Sequence, residues 1–253
     1  MKIQNSMDMK DDSGKDWFSR PDASSDIGQT YEQMAVKDHK YFVRVKSLHF
    51  LRMIKNLCHG YREAVCVDLG CGTAETTEYF QDKFAYTIGC DYSFGMIQFA
   101  AQKHLKRISF VNSVSEVLPL KDRSVTVAVL FNMLHHIGSE DQLMQTLREA
   151  YRILKNEGII AIYEMNPLNP LTRRVVNTNE IDRAVNLDGY KKSLYPTTFY
   201  SWEARSILLQ AGFRIRRQEY LIFFPQFLSF LLPLERFLAK IPLGGLYSVF
   251  GMK

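Results

Sequence analysis

The chain has 253 residues, of which 46% are hydrophobic and 23% charged, and its formal net charge at pH 7 is +5. This composition supplies enough apolar side chains for a core and excludes a chain that is disordered throughout. The mild positive charge permits contact with anionic lipid or nucleic acid but does not argue for either. The length fits one domain with insertions better than two complete domains.

Cysteine usage and the absence of a leader indicate the compartment. The four cysteines are Cys58, Cys66, Cys71 and Cys90. No C-x-x-C pair occurs, so we interpret them as reduced thiols rather than as disulfide partners or metal ligands. No basic segment followed by an apolar run opens the chain, and we expect no signal peptide. The most apolar stretch, residues 220–234, is too short to span a bilayer and contains Pro225 and Pro233. We therefore expect a cytoplasmic protein.

The N-terminal two thirds of the chain alternate between strand and helix patterns. Residues up to about 26 are polar and predict a loose arm. Apolar side chains then recur at helical spacing from His39 to Leu57. The predicted strands that follow are 64–69, 85–91, 108–111, 124–134 and 159–165, and the predicted helices are 75–84, 94–104 and 139–155. This alternation implies a mostly parallel sheet with helices on both faces.

The alternation breaks after residue 165. Residues 166–196 are polar, irregular and punctuated by proline. A predicted helix at 200–213 and a strand at 214–224 follow, then an apolar insertion at 225–245 and a last strand at 246–252. We therefore expect an N-terminal arm with lid helices at 1–60 and a main domain at 61–253. The two insertions of that domain are predicted at about 166–196 and 225–245.

A glycine turn follows the first predicted strand in the segment VCVDLGCGTAETTEYF. A dinucleotide-binding turn needs a third glycine at position 75, where Glu75 would repel a pyrophosphate. A P-loop needs a Gly-Lys-Ser/Thr ending, which does not occur. Asp68 and Glu75 suit a cation instead, and Asp91 ends the next strand, where a carboxylate can accept hydrogen bonds from both ribose hydroxyls. A ligand with a ribose, no phosphate and a positive centre is S-adenosylmethionine.

Several motifs together resemble those of class I S-adenosylmethionine-dependent methyltransferases. VDLGCGTAETTEYF resembles the first motif and IGCDYSFGMIQFA the second; ISFVNSVSEVLPLKDRSVTVAVLFNMLHHI is similar to the third and fourth, and EAYRILKNEGIIAIYE to the fifth. The resemblance covers roughly Ala64 to Glu164 and is nearest to quinone C-methyltransferases and natural-product O-methyltransferases. It implies a Rossmann-like, doubly wound α/β fold. The sheet would be seven-stranded and mostly parallel, with an antiparallel last strand and helices on both faces.

The resemblance also assigns a cofactor site for S-adenosylmethionine, with S-adenosylhomocysteine as the product. The residues that it implies for this site are Asp68, Gly70 and Gly72 at the methionine end, Asp91 and Tyr92 at the ribose, Ser115 and Glu116 near adenine, and Phe131 and Asn132 as lining. Three positions depart from the family pattern. Ala74 replaces the third glycine of the turn, and we expect it to be tolerated. Val114 stands where an adenine-binding Asp is usual, and Thr126 replaces a common Asp of the fourth strand.

Methyl transfer needs a base only when the acceptor must lose a proton. His135 and His136 follow the fourth strand, at the ligand edge of such sheets, and a histidine can take a proton at neutral pH. Adjacent residues point different ways, so we expect at most one of them to be catalytic, with a slight preference for His135. The alternative interpretation of these histidines is structural: one of them packs against the next helix or caps its start. Tyr163 and Glu164 end the fifth strand and are candidates for orienting the acceptor. No metal-ligand cluster is predicted, and we assign no chemistry to the remaining histidines: His39, His49, His59 and His104.

The acceptor must be recognised by segments added to the sheet. Residues 27–41 resemble the family's lid, with Tyr31 as a closing residue. The apolar insertion could be a helix packed on the sheet, a lid over the acceptor, or a contact through 223–245 with a membrane surface or a second subunit. Its composition predicts a small, largely apolar acceptor, lipid-linked or quinone-like. The cations Arg173, Arg174, Lys191 and Lys192 could meet an anionic head group, or simply form a solvated basic face.

Two other functions remain open from the sequence. One is a methyltransferase that acts on a sugar or a sugar-linked precursor, for which residues 166–186 could supply hydrogen-bonding side chains. The other is a catalytically silent protein that binds S-adenosylmethionine. A nucleic-acid acceptor is not expected, because no basic stripe with interleaved aromatic residues occurs.

Overall fold

The computed structural model describes residues 39–177 and 199–253. The helices are α1 (His39–Leu57), α2 (Phe94–Gln102), α3 (Glu140–Ile153), α4 (Pro170–Asn177), α5 (Ser201–Gln210) and α6 (Glu235–Leu238). The strands are β1 (Val65–Leu69), β2 (Tyr86–Asp91), β3 (Ile108–Asn112), β4 (Val125–Phe131), β5 (Leu154–Met165), β6 (Arg214–Leu221) and β7 (Leu246–Met252). Short 3-10 helices occupy Tyr61–Glu63, Thr77–Phe80, Leu134–His136 and Gln226–Leu234. The predictions made for Tyr31, Lys191 and Lys192 lie outside the described residues.

The seven strands form one sheet in the order β3-β2-β1-β4-β5-β7-β6. Strands β1 to β5 pair in parallel, whereas β7 runs antiparallel to both β5 and β6. The predicted mostly parallel sheet with an antiparallel last strand is therefore confirmed. The chain order reverses at β1, which lies between β2 and β4. In sheets of this kind, ligands bind at the carboxyl ends of the strands around such a reversal.

Helices cover both faces of the sheet. On one face, α3 buries Leu143, Leu147 and Ala150 in a core cluster that it shares with α5. On the other face, the fully buried Phe50 of α1 belongs to a second cluster, with its ring centroid 5.6 Å from that of Phe131 in β4. The boundary predicted at residue 60 therefore does not separate α1 from the sheet, because α1 contributes to the same core.

Local boundaries differ from the predictions where the backbone turns left-handed. The predicted helix 75–84 is only the 3-10 helix Thr77–Phe80, since Asp82 has a φ of 56° and ends the helical path. Strand β4 ends at Phe131 rather than at 134, because Asn132 has a φ of 50°. Strand β5 begins at Leu154, before the predicted 159. The helix start at Ser139 is as predicted, with Ser139 Oγ accepting from the Gln142 N–H at 3.2 Å.

The apolar insertion folds into the 3-10 helix Gln226–Leu234 and the adjoining α6. None of the side chains in these two helices is buried. The insertion lies against the end of β6, where the Tyr220 N–H donates to the Ala239 carbonyl at 2.8 Å, but its two helices contribute no buried side chain to the core. Within the described part of the chain, no helix has both the length and the apolar character required to cross a bilayer.

Candidate cofactor and acceptor site

The glycine turn after β1 is held by the neighbouring strand and leaves one side open. Gly70 has a φ of 74° and donates its N–H to the Cys90 carbonyl at 2.8 Å. A side chain there would meet Met133, because a Cβ atom would lie 2.6 Å from the Met133 Cγ atom. Gly72 has a φ of 51°, and a Cβ atom there would meet nothing within 4 Å. Gly70 is thus required by packing, and Gly72 faces free space in which a ligand can approach the backbone.

Ala74 also adopts the left-handed conformation, with a φ of 64°, and is fully buried. This explains why the family prefers glycine at the third position of the turn, since a left-handed backbone costs a residue with a Cβ atom about 1–2 kcal/mol. Burial of the methyl group offsets about 0.8 kcal/mol of that cost. The turn therefore forms with alanine, at a modest cost.

Asp91 lies at the end of β2 and faces the glycine turn. Its Oδ2 atom accepts from the Gly72 N–H at 2.9 Å, and its Oδ1 atom accepts from the Ser93 N–H, also at 2.9 Å. Each oxygen keeps a further lone pair for a ribose hydroxyl. Burial raises the pKa of Asp91, although the two backbone hydrogen bonds oppose that rise. Tyr92, 41% exposed, extends from the same strand end. This geometry supports the predicted ribose contact.

Asp68 at the end of β1 is a buried acceptor that is only half satisfied. The residue is 1% exposed, and its Oδ2 atom accepts from the Thr77 hydroxyl at 2.6 Å. Its Oδ1 atom has no hydrogen-bond partner. Burial raises the pKa of Asp68 to about 7, although the Thr77 hydrogen bond and the Lys46 charge act in the opposite direction. A buried oxygen of this kind suits a cationic N–H donor, such as the amino group of a methionine moiety. The residues of the turn therefore fit S-adenosylmethionine.

Lys46 of α1 reaches the same crevice, a role that the sequence motifs did not predict. Its ammonium donates to the Asn132 Oδ1 atom at 3.1 Å and lies 5.4 Å from the centroid of the Phe131 ring. Burial lowers the pKa of Lys46, and the charges of Asp68, Glu75 and Glu164 oppose that effect. A signal was present in the sequence. Lys46 follows the buried Val43 by three residues and precedes the buried Phe50 by four, so a charge interrupts the apolar face of α1.

His135 and Glu164 form a pair at the ends of β4 and β5. The His135 Nδ1 atom lies 2.9 Å from Glu164 Oε2, while Glu164 Oε1 accepts from the Leu134 N–H at 2.7 Å. The glutamate side chain is 2% exposed and that of the histidine 16%. The preference for His135 is thus supported by geometry. Glu164 is better described as the group that orients His135 than as a group that contacts the acceptor.

The neighbouring His136 has no carboxylate partner among the described contacts. Its ring centroid lies 4.1 Å from that of His135. Loss of hydration and the adjacent His135 both lower the pKa of His136, although the residue keeps exposed surface. Of the two candidate bases, His136 has the less favourable surroundings for accepting a proton.

Tyr163 does not face the ligand edge. It is fully buried, and its hydroxyl lies 2.7 Å from the Nδ1 atom of His49. His49 in turn places its Nε2 atom 3.0 Å from Glu219 Oε2. The prediction that Tyr163 orients an acceptor is therefore wrong, because alternation along β5 directs Glu164 to the crevice and Tyr163 into the core. His49, to which we assigned no chemistry, belongs to this buried polar network.

The predicted adenine end is less well defined. Ser115 Oγ is 2.9 Å from the Thr146 hydroxyl of α3 and donates to Glu116 Oε2 at 3.2 Å. These contacts hold the loop against α3 and occupy the hydroxyl. Val114, at the position of the family's usual Asp, is 50% exposed. Phe131 and Asn132, which were predicted to line the cofactor, both contact Lys46. Among the described residues, no cluster of metal-binding side chains occurs.

Known proteins share this domain but differ in the acceptors that they are named for. Residues 67–162 match a family described as methyltransferase domain. A demethylmenaquinone methyltransferase from Streptomyces griseus is 31% identical over 120 residues, which are 47% of this chain and 50% of that protein. A probable tRNA methyltransferase 9B from Mus musculus is 22% identical over 137 residues, 54% of this chain and 29% of that protein.

A solved structure extends the likeness across the fold. The crystal structure of a S-adenosylmethionine-dependent methyltransferase from Aquifex aeolicus has a TM-score of 0.59 and 16% identity, covering 92% of this chain and 98% of that one. By contrast, this chain spans half the length of the Streptomyces relative. The matched domain, the strand order and the geometry of the glycine turn agree with one another. Residues 67–162 of the chain match the methyltransferase domain family, and the fold around them is shared with S-adenosylmethionine-dependent methyltransferases.

Proposed function

We propose that this protein transfers a methyl group from S-adenosylmethionine to a small, largely apolar acceptor that loses a proton during the reaction. The observation that carries the proposal is the His135–Glu164 pair beside the donor turn. The donor turn adjoins this pair, because Gly70 packs against Met133, and the next residue, Leu134, donates its N–H to Glu164 Oε1 at 2.7 Å. A catalytically silent binding protein would not need an oriented histidine there.

Some residues of the crevice would bind the donor, and others would accept the proton of the acceptor. Asp91 would accept from the ribose hydroxyls, and the free Oδ1 atom of Asp68 would accept from the amino group. S-adenosylmethionine supplies the methyl group on a cationic sulfur. Glu164 accepts from the Nδ1–H of His135, which leaves the Nε2 atom free to take a proton from the acceptor. Positioning and exclusion of water supply the rest of the catalysis.

An aromatic or quinol-like hydroxyl or carbon acid is the acceptor class that we propose. Such a group becomes nucleophilic when a histidine removes its proton. The name of the Streptomyces relative supports an apolar quinone-type acceptor, and the exposed apolar insertion is compatible with an acceptor that resides in a membrane. The protein would then be cytoplasmic with a peripheral membrane contact.

Calorimetric titration with S-adenosylmethionine and S-adenosylhomocysteine tests the donor assignment. Saturable binding of either ligand is expected, and Asp91→Ala should weaken it at least tenfold through loss of the ribose acceptor and of the Gly72 contact. Asp122→Ala is the matched control, because the Asp122 side chain is 73% exposed and pairs with Arg152 instead. Absence of saturable binding by the wild-type protein would remove the cofactor from the proposal.

Transfer of a radiolabelled methyl group to a panel of reduced quinones, phenols and sugars tests the acceptor and the base. His135→Gln should lower turnover about 100-fold or more while leaving cofactor affinity unchanged, since general bases contribute about 10²–10⁴-fold. His104→Gln serves as the control. Turnover of sugars alone would refute the apolar acceptor, and an unchanged rate in His135→Gln would refute the base.

A further inference from the structure

The insertion between β6 and β7 presents a continuous stripe of exposed apolar side chains, which we call the apolar stripe. Its members are Phe227 (78% exposed), Phe230 (72%), Leu234 (48%), Phe237 (68%) and Ile241 (41%). Successive members are three or four residues apart, the spacing of side chains on one face of a helix. Phe227, Phe230 and Leu234 lie in the 3-10 helix, which is kinked at Leu228, whereas Phe237 lies in α6 and Ile241 follows α6. Singly exposed apolar residues are ordinary, but a contiguous aromatic row marks a surface that binds something.

The insertion is fixed to the domain with this stripe turned outward. The Glu235 Oε1 atom accepts from the Phe223 N–H at 2.7 Å, and Oε2 accepts from the Ile222 N–H at 3.1 Å. The Tyr41 hydroxyl of α1 donates to the Phe224 carbonyl at 2.9 Å. These hydrogen bonds fix the insertion to the end of β6 and to α1. The apolar stripe is therefore exposed in an insertion that is already attached to the domain.

A second segment extends the apolar surface. Asn169, just before α4, donates from Nδ2 to the Leu243 carbonyl at 2.6 Å, so the start of α4 lies against the end of the insertion. Leu171 in that helix is 74% exposed, and Leu243 is 53% exposed. The exposed apolar area therefore includes side chains from two separate parts of the chain, as expected of a docking surface.

The charges around the stripe decide which partner fits. The exposed charged side chains of residues 222–245 are both cations, Arg236 and Lys240. Glu235 directs both carboxylate oxygens to backbone N–H groups, as above. Exposed Arg173 adds a third positive charge, and the Arg236 guanidinium lies 4.6 Å from the Phe237 ring centroid. Phenylalanine and leucine bordered by arginine and lysine suit the boundary between acyl chains and anionic head groups.

We propose that the apolar stripe docks this protein on the surface of an anionic lipid bilayer. The aromatic side chains enter the interface, while Arg236 and Lys240 lie along the surface and meet lipid phosphates. This contact goes beyond methyl transfer, since it concerns where the protein resides and does not depend on cofactor binding. A second copy of the chain is the competing occupant, and it is distinguished by the experiment.

Flotation with vesicles of phosphatidylcholine and phosphatidylserine tests the proposal on the full chain. The wild-type protein should float with the vesicles. A smaller fraction should float when the anionic lipid is omitted, or when salt on the order of 0.5 M screens the contacts with the lipid phosphates. The triple variant Phe227→Ser, Phe230→Ser, Phe237→Ser should lose at least tenfold in vesicle partitioning. The three side chains are exposed, so its thermal unfolding midpoint should match that of the wild type.

A control and a second measurement make the result decisive. The double variant Phe99→Ser, Leu209→Ser removes exposed apolar side chains elsewhere and should float as the wild type does. Wild-type protein that stays wholly in the soluble fraction would overturn the proposal, and so would equal flotation of the triple variant. Sedimentation that reveals a dimer, abolished by the triple variant and accompanied by no flotation, would show that a second copy covers the stripe and would also overturn it.

Discussion

At the scale of single residues, the crevice is built from buried ionisable side chains. Asp68, Asp91 and Glu164 supply carboxylates, and Lys46 supplies a cation whose pKa is lowered by burial. Sequence analysis found the carboxylates because each ends a strand beside a recognisable motif. Lys46 could be recognised as a charge on the apolar face of α1, but its contact with Asn132, 86 positions away, exists only in the fold.

The raised pKa of Asp68 predicts a pH-dependent donor affinity. Burial raises the pKa of this carboxyl to about 7, so a proton must leave before the oxygen can accept from a cationic amino group. Binding should therefore weaken about fivefold in the first pH unit below 7 and nearly tenfold in the next. Between pH 5.5 and 7, the affinity of the wild type for S-adenosylmethionine should rise at least tenfold, as measured by calorimetry.

Asp68→Asn provides the comparison for this titration. The amide cannot titrate, so its affinity should be lower at pH 7 and nearly flat across the same range. A wild-type affinity that is already flat between pH 5.5 and 7 would contradict the assigned role of Asp68.

At the scale of elements, strands were predicted well and the contacts between elements were not. Runs of Val and Ile identified β1, β4 and β5, because strands that are buried on both faces have continuous apolar sequences. The length of the helix after β1 was overestimated, because the hydrophobic pattern does not show that the backbone of Asp82 is left-handed. The helical spacing of apolar residues predicted α1, but it could not predict which strands the polar side chains of α1 contact.

The buried network of His49, Tyr163 and Glu219 lies between α1 and the sheet. It predicts that the free energy of unfolding decreases at acid pH. Glu219 on β6 accepts from Arg217 Nε at 2.8 Å and from Arg52 at 3.2 Å, in addition to its contact with His49. Burial by itself would raise the pKa of Glu219, but hydrogen bonds from His49 and Arg217 lower it to about 2. A carboxyl with a depressed folded pKa stabilises the fold above its unfolded pKa of about 4.3, and this stabilisation is lost as pH falls towards 2.

Urea unfolding of Glu219→Gln measures that contribution. The variant should be less stable at pH 7 by about 1–3 kcal/mol, because the buried donors lose their charged acceptor. The difference from the wild type should shrink as pH falls from about 4 towards 2. Glu63→Gln, at an exposed glutamate, should match the wild type at both pH values. A difference that stays constant down to pH 2 would mean that the charge of Glu219 is not what stabilises the contact.

At the scale of the whole molecule, one domain carries the two surfaces for which we propose different partners. The crevice at the carboxyl ends of β1, β2, β4 and β5 contains the His135–Glu164 pair and is the proposed donor site. The apolar stripe follows β6, which also carries Glu219, so it is built on the same rigid sheet as the crevice. The family motifs predicted the first surface. The sequence also predicted the apolar composition of the second, but its outward orientation depends on Glu235 bonding to backbone N–H groups, which composition does not reveal.

If both proposals hold, the two surfaces act together on an acceptor that resides in a membrane. Docking would concentrate the protein at the bilayer, so kcat/KM for a long-chain quinol in anionic vesicles should fall at least tenfold in the Phe227→Ser, Phe230→Ser, Phe237→Ser variant. With a short-chain quinol free in solution, the same variant should keep the wild-type kcat/KM, because the crevice is unchanged. His135→Gln should reduce turnover of both acceptors by a similar factor. Equal loss of both activities in the triple variant would mean that the stripe supports the crevice itself, and equal retention of both would mean that docking does not deliver the acceptor.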